Sequence, residues 1–327
     1  MGTMTTLPDY LHPLGDGVYA IDTGFQRPHF DAAYLMVHRG RAAFIDTGTH
    51  HAVPRLLGVL PALGLALDAV EWIIPTHVHL DHAGGVGGLA AALPQAHVLV
   101  HPRGARHLAD PRALWAGATA VYGAQEMARS YGEAVPVARH QIQESHDGMT
   151  VSVGGRPLLL IDAPGHARHH HCIWDEATQG WFTGDTFGLS YREFDDPADP
   201  ARAWVLPSVT PVQFEPEALR ATLKRLLATQ PRCMYLTHYG RVEGVPRLAL
   251  QFEHQLDAMV TLGERWRMRP GPARHEALKE GLLAIHLASL AEAGHSMPAG
   301  EVQELLALDI ELNAQGMACW LDRPVTA

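Results

Sequence analysis

Six consecutive residues, His77-Val78-His79-Leu80-Asp81-His82, place three imidazoles and a carboxylate directly behind an apolar run at residues 70–74 that ends at Pro75. This density of metal-binding side chains sharply limits the fold. The segment has to lie at the end of a buried strand, where a short loop reaches the edge of a sheet. Alternate side chains of an extended stretch face the same way, so His77 and His79 address one position. The turn that follows brings Asp81 and His82 to a second. One loop can thus serve two cations, and each cation needs further donors, because a catalytic tetrahedral site takes three protein ligands plus water.

Suitable donors stand at three other strand ends. His166 closes Asp162-Ala163-Pro164-Gly165-His166, Asp185 closes Phe182-Thr183-Gly184-Asp185, and His238 closes Leu236-Thr237-His238. A carboxylate such as Asp185 is a natural bridge between two cations. The chain carries 22 histidines against 25 lysines and arginines, and the metal reading accounts for the most concentrated of them.

The surrounding pattern is α/β. Residues 17–24 and 34–48 read as strands, the second folding back at Arg39-Gly40-Arg41, and Val53, Leu56, Leu57, Leu60 and Leu63 then mark one face of a helix. A short helix at residues 86–93 and a strand at 97–100 repeat the alternation. Residues 103–145 show no strand signal and read as a helical insertion or a cap, whose Trp115, Tyr122 and Tyr131 are either ordinary core aromatics or the wall of a pocket. Strand character returns at residues 150–183. The catalytic domain is expected to span residues 1–245. Residues 246–327 read as a helical C-terminal module, with helices at 247–266, 275–293 and 299–314. Its apolar stripes, Leu248, Phe252, Leu256, Met259 and Val260, then Leu278, Leu282 and Ile285, need burial. They can pack on one another, roof the active-site cleft together with residues 103–145, or mate with a second subunit; the last two are expected, and with them a homodimer.

Composition removes other classes. With 25 basic and 35 acidic residues the formal charge is -10, and no basic block is present to track phosphates, so nucleic acid is not an expected partner. The apolar stretch at residues 56–75 is broken by Pro61, Gly64, Asp68 and Glu71, too soon for a membrane span. Cys172, Cys233 and Cys319 are odd in number and widely spaced, which suits buried thiols in a reducing compartment. Residues 1–15 lack the pattern of a secretory leader, and a cytoplasmic location is expected.

The residues from His77 to His82, Gly165-His166, Gly184-Asp185 and Thr237-His238, in that order and with Phe44-Ile45-Asp46-Thr47-Gly48 upstream, resemble the metallo-β-lactamase fold superfamily over residues 17–245. The resemblance implies an αββα sandwich with two divalent transition metal ions at one edge. Zinc is expected first, with iron or manganese also suited to nitrogen and carboxylate ligands. It also implies that His77, His79 and His166 bind the first metal, that Asp81, His82 and His238 bind the second, and that Asp185 binds both, while Asp46 organises the ligand loop from behind. The glyoxalase II subgroup is matched less well, since this chain reads Gly165-His166-Ala167-Arg168-His169-His170-His171 and Thr237-His238-Tyr239. Because a strand points neighbouring side chains to opposite faces, residues 169–171 are read as packing rather than ligation.

Within the family it resembles, members that carry out one-iron redox chemistry use three ligands, so the resemblance with a seven-donor set implies hydrolysis instead. The expected reaction is attack on a small acyl substrate by a hydroxide held between the cations, with Asp81 as the catalytic residue that orients it. Thioesters or esters rank first, lactones next, then phosphodiesters and β-lactams. A redox enzyme or a non-catalytic sensor are the readings outside hydrolysis. Tyr191 and Arg192, just beyond Asp185, are candidate substrate contacts, because a phenol can donate to an oxyanion and a guanidinium can pair with a carboxylate.

Overall fold

The computed structural model describes residues 7–195 and 202–324; the first six residues, on which part of the leader reading rests, lie outside them. The first sheet has the spatial order β1 (Leu11–Gly15), β2 (Val18–Asp22), β3 (Ala32–His38), β4 (Arg41–Ile45), β5 (Val70–Ile74), β6 (His97–Val100) and β7 (Ile142–Glu144). Positive φ angles at Arg39 (47°) and Gly40 (74°) make the tight mirror-image turn between β3 and β4, whose twist suits an antiparallel pair. From β4 onward the pairing is parallel. Parallel neighbours need crossovers, and helices supply them: α1 (Val53–Ala62), then α2 (Leu80–Ala83) and α3 (Val86–Ala92), then α4 (Pro102–Ala109), α5 (Arg112–Tyr122) and α6 (Ala124–Glu126).

The expected insertion is therefore the β6–β7 crossover. It ends in a strand that the sequence hides, because Ile142-Gln143-Glu144 is too short to display an alternation. On α1, Val53, Leu56, Val59 and Leu60 are buried. Leu56, Val59 and Leu60 join Leu35, Phe44, Ile73, Leu89 and Val98 in the core under this sheet. Leu57 and Leu63, read from the sequence as part of the same face, are only partly buried.

The second sheet has the order β13-β12-β11-β10-β9-β8, built from β8 (Thr150–Val153), β9 (Arg156–Asp162), β10 (His171–Asp175), β11 (Gly180–Gly184), β12 (Cys233–Leu236) and β13 (Gly240–Glu243). Arg156 and Asp175 form a buried ion pair across β9 and β10. The remaining helices are α7 (Pro216–Ala228), α8 (Val245–Trp266), α9 (Pro272–Glu292), α10 (Ala299–Leu305) and α11 (Ala307–Leu321). Elements and sheets are those of an αββα sandwich with helices in one crossover and at the C-terminal end. No helix among the described residues is long and apolar enough to cross a membrane.

The chain divides into two compact units. One holds the described residues up to Asp162, His169–Gly184 and Tyr235–Arg241. The other holds Ala163–Arg168, the described part of Asp185–Met234, and the residues from Val242 onward. Within the second unit α8 packs on α9 and α11, so Leu248, Phe252, Leu256 and Met259 are buried together with Leu278 and Leu282. Helix α9 starts at Pro272 rather than after it, since proline at the first helical position gives up no internal hydrogen bond. A break at Leu306 divides the last expected helix in two, and its second part extends to Leu321. Cys172 and Cys233 are buried thiols; Cys319 is partly exposed.

A buried histidine in this helical packing sets an acid limit. His286 of α9 is fully buried, with Nδ1 2.9 Å from Gln255 Oε1. Gln255 donates its amide to the Val205 carbonyl, which leaves Oε1 to accept from the imidazole. Burial pushes His286 down to about 4 from its usual 6.5. Between these values the unfolded chain takes up a proton that the folded chain refuses. The stabilisation is therefore full above pH 6.5 and is lost as pH falls toward 4, by about 3 kcal/mol over that window. Urea titrations between pH 7 and 4 should show this loss, and His286→Leu should flatten the slope. An unchanged slope in the variant would refute the assignment.

Candidate metal centre

Strand β5 ends in buried Ile73 and Ile74, and Pro75 and Thr76 lead into the ligand loop. His79 is still extended (φ -64°, ψ 151°) and caps the one-turn helix α2. His77 and His79 accordingly point to the same side, with His77 Nε2 2.7 Å from His79 Nδ1. The helical turn then redirects Asp81 and His82. Asp81 Oδ2 lies 3.8 Å from His82 Nε2 and 3.4 Å from Nε2 of His238, which follows β12. Ligand atoms of Asp81, His82 and His238 all lie within 4.8 Å of one another.

The other ring nitrogen of each imidazole has its own protein partner. His82 Nδ1 lies 3.0 Å from Asp46 Oδ2, and His238 Nδ1 lies 2.8 Å from the Phe30 carbonyl. A proton held at Nδ1 by an acceptor fixes the tautomer whose Nε2 lone pair binds a cation. Two aimed imidazoles and one carboxylate form a donor set that fits a divalent transition metal.

Asp46 controls this arrangement. It is fully buried just past β4, with a positive φ of 55° that few side chains tolerate. Besides His82 it accepts from the Thr76 amide (2.6 Å), the Thr76 hydroxyl (3.0 Å) and the Thr237 hydroxyl (2.7 Å). One carboxylate thereby holds together the ends of β4, β5 and β12. The sequence marked Asp46 but not the two threonines that share it.

The second unit carries the other two expected ligands. Buried His166 has Nδ1 3.2 Å from the Ser208 carbonyl and Nε2 3.4 Å from Asp185 Oδ2. The Ser208 hydroxyl donates to the same Asp185 oxygen at 3.3 Å. Gly165 approaches α7 so closely that a Cβ would lie 2.3 Å from Leu219 Cα, so this turn requires glycine. Each unit thus arranges its own part of the donor set.

Residues 169–171 support the ligand loop. The His170 ring stacks on His77, with centroids 4.8 Å apart, and His169 Nδ1 accepts from the Val78 amide at 3.5 Å. His171 Nε2 lies 2.9 Å from the Pro75 carbonyl, and its Nδ1 is 2.9 Å from the Ser145 hydroxyl. Burial lowers His171 to about 4, so the ring is neutral at pH 7 and Ser145 donates to it. Sequence reading missed Asp31, a fully buried carboxylate beside Phe30 whose Oδ2 accepts from the Thr23 hydroxyl. Burial raises it to about 7, against the opposing pull of His238 and His82. Nothing in the local pattern of residues 25–31 distinguishes it.

The candidate substrate contacts are engaged within the second unit. Tyr191 is buried and donates its hydroxyl to Asp309 of α11 at 2.8 Å. Arg192 donates to the Ser190 carbonyl and hydroxyl and pairs with Asp195 at 2.9 Å.

The sequence profile of the metallo-beta-lactamase superfamily matches residues 15–238. The chain belongs to this superfamily. Its sequence is 25% identical over 231 residues to the metallo-beta-lactamase fold-containing protein ST1585 of Sulfurisphaera tokodaii, covering 69% of this chain and 79% of the relative. The ST1585 crystal structure shares the fold, with a TM-score of 0.59, 23% identity, and coverage of 84% of this chain and 98% of that one. A hydroxyacylglutathione hydrolase of Cupriavidus taiwanensis is 34% identical over 168 residues, which is 50% of this chain and 52% of the relative. The human acyl-coenzyme A thioesterase MBLAC2 is 27% identical over 202 residues, covering 56% of this chain and 68% of the relative. Hydrolases are thus among the similar members of the superfamily.

Proposed function

We propose that this protein is a binuclear metal-dependent hydrolase acting on a small ester or thioester. The observation that carries the reading is the pre-aimed set Asp81, His82 and His238, whose imidazole Nε2 atoms converge with a carboxylate because Asp46 and the Phe30 carbonyl hold the opposite ring nitrogens. The similarity to a hydroxyacylglutathione hydrolase and to an acyl-coenzyme A thioesterase favours acyl substrates. In this reading His77, His79 and His166 hold one cation, Asp81, His82 and His238 hold the other, and Asp185 is shared.

Two divalent cations, zinc in the first instance, would supply Lewis acidity and lower the pKa of a bound water from about 15.7 to roughly 7. The protein's own part is positional. Asp46 and Thr76 fix the ligand loop, His170 holds the plane of the His77 ring, and Asp81 accepts a hydrogen bond from the attacking water and so directs it at the acyl carbon. No nucleophilic side chain is required.

Elemental analysis of protein purified from zinc-supplemented medium should find about two metal equivalents, and a panel of thioesters, esters, lactones, phosphodiesters and a chromogenic β-lactam should show the fastest turnover on acyl substrates. Chelation should abolish that turnover, and added zinc should restore it. Faster turnover of the phosphodiester or the β-lactam would displace the acyl assignment. Full activity in metal-free protein would end the metal reading.

A further inference from the structure

One face of the α8–α9 pair is hollow. A groove of about 730 Å³ runs between the two helices, and both of its walls belong to the second unit. The α8 wall carries Arg247, Leu250, Gln251 and His254, whose three- and four-residue spacing puts them on one side of the helix. The α9 wall carries mostly small side chains, Ala284, Ala288, Ser289 and Ala293, with Glu292 at one end. Leu248, Phe252, Leu256 and Met259 are buried within the module, so the main apolar stripe of α8 needs no second subunit. Leu250 behaves differently, being 54% exposed on the groove wall. Arg247, His254, Ala284, Ala288 and Glu292 are exposed with it.

Two contacts fix the register of the pair. His286 Nδ1 lies 2.9 Å from Gln255 Oε1, and a Cβ on Gly281 would come within 2.5 Å of Leu262 Cδ2. The helices are therefore antiparallel. Ala258 is level with Ala284, His254 with Ala288, and Leu250 and Gln251 with Glu292 and Ala293. Arg247 stands one turn further toward the same end. Where α8 is bulky, α9 is recessed, and the positive charge of Arg247 lies near the level of the negative charge of Glu292.

We propose that this groove is the interface of a homodimer, in which α8 of each copy packs on α9 of the other about a two-fold axis parallel to the helices. Such an axis leaves every level in place. It seats His254 of each copy on Ala288 of the second copy and Leu250 beside Ala293, bulk into recess, which is how helix surfaces interlock. It also sets Glu292 of each copy against Gln251 and Arg247 of the other, so the favourable contact is made twice. Gln251 uses its side-chain oxygen to accept from the Val205 amide at 3.2 Å, and its own amide hydrogens remain for the carboxylate. Arg247 donates one nitrogen to the Ala203 carbonyl at 2.7 Å, and a guanidinium has five N–H donors to distribute. A groove whose two walls complement each other in size and in charge fits a copy of itself. The proposal is independent of the hydrolase reading.

Sedimentation velocity and native mass spectrometry of the full chain test it. The native protein should be dimeric at about 10–100 µM, the range in which a modest interface assembles. Arg247→Glu sets like charges against each other in both contacts, and Glu292→Arg does the same with the opposite sign. Each should weaken dimerisation at least about tenfold. Mixing the two variants restores opposite charges across the interface and should yield a heterodimer of near-native affinity, which a misfolded variant could not form. Ala288→Trp fills the recess at an exposed position and should be monomeric with an unchanged melting temperature. A native protein that is monomeric at about 100 µM, variants that dimerise as the native chain does, or a mixture that stays monomeric would each overturn the interface. A monomer carrying a small molecule of fixed mass that Ala288→Trp expels would give the groove to that ligand and overturn it as well.

Discussion

His79→Ala is expected to lower turnover on the best acyl substrate at least about a thousandfold while the protein stays folded. His79 is only partly buried and caps a single helical turn, so removing its ring opens no cavity in the core. Its losses are contacts with other imidazoles: the edge-on packing against His77 at 4.3 Å and His169 at 5.3 Å, and the Nδ1 that meets His77 Nε2 at 2.7 Å. Stability of the metal-free protein should change by about 1 kcal/mol, the usual size for a partly exposed side chain. Metal content should fall, because even groups that only orient ligands are worth about 10- to 100-fold in metal affinity. Elemental analysis, thermal melts with and without chelator, and initial rates separate these effects. A variant retaining two metals and native turnover would remove His79 from the centre.

The site was legible in the sequence where chemistry and local order coincide. A six-residue run of ligand types behind an apolar strand needs no tertiary information, and its split into two directions follows from strand periodicity and one helical turn. The partners that aim the ligands were hidden, because they come from far along the chain. The Phe30 carbonyl receives a ring 208 residues away, and Thr237 reaches Asp46 across 191. A backbone carbonyl also has no signature in any sequence. Tyr191 illustrates the converse: its position after Asp185 suggested a substrate contact, but its hydroxyl is bonded to Asp309, which no local pattern connects with it. The fold followed the same division. Hairpin turns and the α1 face were readable from spacing, whereas β7 was too short, and the break at Leu306 falls inside a continuous apolar pattern.

Asp46 is the residue whose loss should be felt by both the fold and the centre. Asp46→Asn preserves size but offers one acceptor oxygen where the carboxylate offers two, and it presents an amide to donors already aimed at it. Four donors converge here: the Thr76 amide and hydroxyl, the Thr237 hydroxyl and His82 Nδ1. The group is fully buried, so whatever loses its partner gains no water in exchange. Leaving one or two buried polar groups unsatisfied costs about 1–3 kcal/mol each. The metal consequence follows from His82. Without an acceptor at Nδ1 its ring is free to change tautomer and plane, and affinity at the Asp81, His82 and His238 position should fall by about 10- to 100-fold. Asp46→Ala removes every acceptor and should be worse on both counts. Zinc competition with a chromophoric chelator and urea unfolding of the metal-free protein measure the two effects separately. Native zinc affinity in Asp46→Asn would show that the orientation of His82 is set by packing against His77, at 4.0 Å, rather than by the carboxylate.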